Sequence, residues 1–97
     1  MKIAFFDTKP YDKPGFEKYG AVHGIKFKFF ESMLNEDTVE LAKGADAVCV
    51  FVNDSVNAAV IDKLHELGVG IVALRCAGYN NVDLKHAFGK VHVEIGR

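Results

Sequence analysis

The chain has 97 residues, 49% of them hydrophobic and 26% charged, with 12 basic and 13 acidic side chains and a formal net charge of -1. That is one domain's worth of chain, with enough apolar material for one core and no need of disulfide or metal staples. The even charge balance leaves no basic stripe for nucleic acid. No apolar run approaches a membrane span or the core of a secretory signal, so a cytoplasmic setting is expected.

The chain opens on the apolar run Ile3–Phe6, a strand that ends at Asp7. Pro10 and Pro14 interrupt Thr8–Gly24, where a short helix from Gly15 to Tyr19 or a little beyond is expected. Lys26–Phe30 alternates polar and apolar residues, the pattern of a strand with one solvated face. Asn35 is placed to cap a helix over Glu36–Lys43, with Gly44 as its stop. Ala47–Val52 is a near-continuous apolar strand and includes Cys49, expected to be a buried small hydrophobe. Asp54 or Ser55 is placed to cap a helix over Val56–Leu67, on which Val56, Val60, Leu64 and Leu67 share a face and Gly68 marks the end. Gly70–Leu74 is a fourth strand, and Asp83 caps a short helix to Phe88, stopped by Gly89. Val91–Ile95 closes the series with a second alternating pattern.

Strands alternating with helices predict βαβ units and a parallel sheet. The continuous apolar strands belong inside it and the two alternating ones at its edges. This fits a three-layer α/β fold with a five-stranded parallel sheet in the flavodoxin-like order 2-1-3-4-5. Ligands of such sheets bind beyond the carboxyl ends of the strands, here the loops that begin at Asp7, Asn53 and Arg75.

The loop Arg75-Cys76-Ala77-Gly78-Tyr79-Asn80-Asn81-Val82-Asp83 carries the most information. Its small residues leave backbone N–H groups open to a carboxylate or phosphate, and Arg75 either adds charge or pairs with an acid. The plainer reading is an ordinary turn with an Asp cap. Gly68-Val69-Gly70-Ile71-Val72-Ala73 matches G-x-G-x-x-A but ends a helix and opens a strand, the reverse of a dinucleotide fingerprint. His23, His65, His86 and His92 are scattered, without metal-ligand spacing. His92 is expected on the outer face of an edge strand and His65 on a solvated helix face, while His86 is unusual for its helix.

Val72-Ala73-Leu74-Arg75-Cys76-Ala77-Gly78-Tyr79-Asn80-Asn81-Val82-Asp83-Leu84 resembles the substrate-domain loop of fermentative D-lactate dehydrogenases, members of the NAD-dependent D-2-hydroxyacid dehydrogenase family. Met1–Lys9 and Val48–Asp54 agree with it, so the resemblance covers roughly residues 1 to 93. It implies a two-domain reductase of 2-keto acids, pyruvate to D-lactate with NADH, whose first domain is flavodoxin-like and helps to bind substrate. Backbone N–H groups of Ala77 and Gly78 would hold the substrate carboxylate, with Cys76 and Tyr79 as pocket wall. The family's catalytic Arg, Glu and His and its NAD-binding domain have no counterpart here. No catalytic, cofactor-binding or metal-binding residue is therefore expected, and no turnover.

After Val91-His92-Val93 the chain departs from the family pattern and runs Glu94-Ile95-Gly96-Arg97. The resemblance thus predicts an excised and edited substrate domain, residues 1–97 forming one flavodoxin-like unit. The family covers this sheet with helices from later chain, so a face beside the first helix should be under-covered here. A homodimer or a domain-swapped assembly is expected, with at most weak binding of a 2-keto acid or other anion and with no nucleic-acid or membrane partner. The alternative is a receiver-like signalling domain with Asp54 as phospho-acceptor and Asp7 beside it. Against it, Arg75-Cys76-Ala77 lacks the required hydroxyl, and Lys90 precedes the fifth strand instead of following it. A flavin-binding reading fails because Thr8–Pro14 lacks the hydroxyl and glycine residues of a phosphate loop.

Overall fold

The computed structural model describes residues 1–51, 54–75 and 82–95. Five parallel strands form one sheet in the order β2-β1-β3-β4-β5: β1 Lys2–Phe5, β2 Lys26–Phe29, β3 Ala47–Val50, β4 Ile71–Leu74 and β5 His92–Ile95. Three α-helices, α1 Lys13–His23, α2 Ala58–Glu66 and α3 Leu84–Ala87, and a 3₁₀ helix, Val39–Ala42, make the connections. The alternating strands are the edges, as their patterns required. β3 is buried throughout, while β2 shows exposed lysines and half-buried phenylalanines in turn.

One face of the sheet carries the main core. Ala4, Phe6, Val48, Val50, Val72 and Leu74 pack there against Val60, Ile61 and Leu64 of α2. The other face is aromatic. Phe5 lies 4.6 Å from Phe16 of α1 and 5.3 Å from Phe29, ring centre to ring centre. α1 covers β2 and β1, and beyond it Ile71 and Ala73 of β4 are only half-buried. The half-buried positions on this face thus lie on β4, while β3, between them and α1, is buried.

Three helices differ from the sequence expectation, each for a local reason. α1 starts before Pro14 and runs to His23, because a proline in the first turn lacks only an N–H that has no intrahelical partner there. The helix expected over Glu36–Lys43 shrinks to the 3₁₀ helix. The Asn35 Oδ1 does accept from the N–H groups of Asp37 and Thr38, but the chain must turn at Gly44 (φ 90°) to enter β3. α2 is capped by Asn57, whose Oδ1 accepts from the Val60 N–H at 3.0 Å, and not by Asp54 or Ser55. Those two residues are held elsewhere: Ser55 N–H donates to Leu34 O at 2.7 Å, and the Asp54 carboxylate is taken by two other backbone groups.

Candidate functional site at the carboxyl edge of the sheet

Four chain segments meet beyond the carboxyl ends of β1, β3 and β4, and Arg75 ties them together. Its Nη1 donates to Asp12 Oδ2 at 3.2 Å, and its Nη2 donates to the carbonyls of Phe6 and Asp7. The guanidinium lies 4.1 Å from the centre of the Phe5 ring and 5.1 Å from that of Phe51. Arg75 and Asp12 are only 13% and 15% exposed at their side chains. A charge held by a carboxylate, two carbonyls and two ring faces is spent on structure. Of the two roles open to Arg75, pairing with an acid is the one observed. Asp12, its partner, lies 63 residues away in sequence, and no local pattern marked it.

Asp7 leaves β1 in a left-handed backbone conformation, φ 51°, which aspartate tolerates better than most residues. Its N–H donates to Ser32 O and its Oδ1 pairs with Lys9 Nζ at 2.8 Å. Its other carboxylate oxygen is buried with no partner among the described residues. Asp54 is 1% exposed, and its two oxygens accept from the N–H groups of Leu34 and Phe51. Burial raises its carboxyl pKa above the ordinary 3.8, against the pull of those two donors. Asp54 is a tie between two loops. The signalling alternative needs a solvent-facing carboxylate and gains nothing from this geometry. Burial likewise pushes the Cys49 thiol up to about 12, which leaves it protonated and unreactive at neutral pH.

Cys76, Ala77, Gly78 and Tyr79 lie outside the described residues. Their flanks are fixed. Before them, Arg75 N–H donates to Val50 O at 2.9 Å, continuing the β3–β4 ladder. After them, Val82 pairs with Val56, and Asp83 caps α3 by accepting from the His86 N–H at 3.0 Å. A cleft of about 420 Å³ opens at Arg75, walled by Lys9, Tyr11, Phe16, Phe51, Leu74 and the Asp12–Arg75 pair. Lys9, Tyr11 and Phe51 were not anticipated from sequence, because nothing in their neighbourhood signals convergence on one cleft.

The histidines are engaged outside this edge. His86, unusual for its helix, pairs through Nε2 with Asp62 of α2 at 2.7 Å, and this bond holds the Asp62 carboxyl below its ordinary range. His65 is exposed, with Nδ1 3.2 Å from Lys90 O, and His92 is exposed on β5 beside Glu94. Among the described residues no three His, Cys, Asp or Glu side chains are grouped to hold a metal, and no helix is long and apolar enough to cross a membrane.

A sequence profile of the D-isomer specific 2-hydroxyacid dehydrogenase catalytic domain matches residues 3–90. The chain belongs to this family. It is 54% identical over 87 residues to a 2-hydroxyacid dehydrogenase homolog of Haemophilus influenzae, covering 90% of this chain and 26% of that protein. It is 45% identical, over the same shares, to the D-lactate dehydrogenase of Escherichia coli. The apo-structure of the Escherichia coli D-lactate dehydrogenase superposes with a TM-score of 0.94 at 42% identity, covering 98% of this chain and 30% of that one. The Salmonella D-lactate dehydrogenase gives 0.93 at 42% identity. The chain therefore spans about a quarter to a third of the length of the relatives it matches, and the part that it represents is their flavodoxin-like substrate domain.

The described residues do not fit a dinucleotide. Gly68 and Gly70 stand between the end of α2 and the start of β4, at the amino edge of the sheet, and so cannot present backbone N–H groups at a helix start. No described strand-to-helix connection carries a glycine turn.

Proposed function

We propose that this chain is the substrate-binding part of a D-lactate dehydrogenase, a module that positions a 2-keto acid carboxylate without carrying out turnover itself. The observation that carries the reading is the 45% identity to the Escherichia coli enzyme across 90% of this chain. The fixed ends of the 76–81 loop support it: a short segment pinned on both sides can hold its N–H groups toward one point at little entropic cost. In this reading the Ala77 and Gly78 N–H groups receive the carboxylate, and Cys76 and Tyr79 wall the pocket. Arg75 fixes the loop's first residue, with four of its five N–H donors engaged by Asp12 and by the carbonyls of Val50, Phe6 and Asp7.

The whole enzyme's reaction is pyruvate to D-lactate, with the hydride supplied by NADH bound to other parts of the protein. A related Lactobacillus delbrueckii dehydrogenase, 28% identical, is known in an NAD-complexed form. The test is a backbone amide NMR titration of the 97-residue chain with oxamate, a keto-acid mimic, and separately with NADH. Saturable shifts confined to Cys76–Tyr79 with oxamate, and none with NADH, are expected. Oxamate shifts elsewhere, or saturable NADH binding, would overturn the assignment.

A further inference from the structure

Lys2, Lys26, Lys28 and Lys43 are far apart in sequence, yet they line one groove of about 280 Å³ at the opposite edge of the molecule. Strand register brings them there. Lys2 of β1 is the partner of Lys26 on β2, and Lys28 lies two residues along β2, on the same face. Lys43 joins them from the turn after the 3₁₀ helix. Ala4 and Leu41 supply an apolar floor, and the groove stays open because a single 3₁₀ turn covers this face where a longer helix would fill it.

None of the four forms an ion pair with a described residue. Among the described residues Lys9, Lys63, Lys90 and Arg75 each have an acidic partner within 4 Å, but none of the four groove lysines does. Two acids are close by, and neither lines the groove: Glu40 feels the charge of Lys43 from beyond ion-pair distance, and Asp46 accepts from the Lys2 backbone N–H at 2.8 Å. Four lysines lining one groove with no ion-pair partner leave a local excess of positive charge, which a bound anion offsets. Edge-strand lysines do discourage strand pairing. That role accounts for Lys26 and Lys28 and leaves Lys2 and Lys43 unexplained.

We propose that this groove binds a small anion bearing a short chain of phosphates. Lysine presents a compact point charge suited to phosphate, and several together match an anion of several charges. A volume below the usual range for drug-sized ligands restricts the guest to a few heavy groups. The site lies at the amino edge of the sheet and stands independently of the keto-acid reading at the carboxyl edge.

Inorganic tripolyphosphate is the probe, titrated into the 97-residue chain and followed by amide and lysine side-chain NMR, with citrate as the polycarboxylate comparison. Saturable shifts in Lys26–Phe29 and Gly44–Asp46 are expected, weakening steeply with added salt. Binding should weaken roughly tenfold in the Lys26→Gln/Lys28→Gln double variant and similarly in Lys43→Gln, which leaves the edge strand untouched. Equal shifts at Lys13 and Lys18 of α1, unchanged affinity in both variants, equal binding of citrate, or no shifts at all would each overturn the proposal.

Discussion

Asp54 illustrates how a residue picked out by position in the chain acquires a different role from its surroundings. At the end of a central strand an aspartate is an obvious helix cap. Here its carboxylate instead closes two loops by accepting from Leu34 and Phe51, and it is 1% exposed. Desolvation raises its pKa above 3.8, so at pH values just above 3.8 the folded chain keeps a proton that the unfolded chain has released. The stability contributed by this group is therefore greatest below 3.8 and falls as pH rises through the folded-state value. Glu40 and Asp62, whose pKa values are lowered by Lys63 and His86, work in the opposite direction, so the total pH profile mixes both signs. Comparison with Asp54→Asn isolates the site. The stability advantage of the parent over the variant should shrink as pH rises from 3.8, as read from urea midpoints across the acid range. A constant or growing advantage would contradict a raised pKa.

At the scale of elements, the seating of α1 on β2 depends on a missing side chain. A Cβ at Gly20 would lie 2.5 Å from Ile25 O and 3.0 Å from the Phe27 ring. The carbonyl belongs to the turn that feeds β2, and it cannot swing aside as a flexible side chain can. Gly20→Ala gains about 1 kcal/mol in helix propensity, but overpacking against backbone costs about 1–3 kcal/mol. A net loss of up to about 2 kcal/mol is expected in urea unfolding, and a raised midpoint would show that α1 is free to shift.

The element level is also where the sequence was most and least informative. Strand order followed from Lys26–Phe30 and Val91–Ile95, because alternation reports one-sided burial directly. Helix limits were less readable. Asp54 and Asn57 are both capping residues, and the tertiary contact from Leu34, with the local one from Phe51, decides which of them caps α2. For the same reason the Asp12–Arg75 pair and the four-lysine groove left no local mark: each is assembled by the fold across dozens of residues. The resemblance that named Ala77 and Gly78 needed no such assembly, since that loop is contiguous.

Among the described residues the sheet has two edge strands, and they are not equivalent. β2 carries the exposed Lys26 and Lys28, whose like charges resist another strand. β5 carries His92 and Glu94, which lie 2.6 Å apart and offer no such barrier. Beside β5 the short α3 leaves Phe88 89% exposed and Leu84 37% exposed, the former more than any other large hydrophobic side chain among the described residues. Backbone hydrogen bonds offered by β5 and apolar area offered by Phe88 lie together, so one contact can satisfy both. We infer that two copies associate along β5, extending the sheet and covering Phe88. Phe88→Asp tests this with little risk to folding, since the side chain makes no contribution to the core. Sedimentation equilibrium should show a dimer for the parent chain and a monomer for the variant. A parent chain that stays monomeric at NMR concentrations would rule the association out. A variant that still dimerises would move the interface away from β5, with the half-buried Ile71 and Ala73 of β4 the next surface to probe.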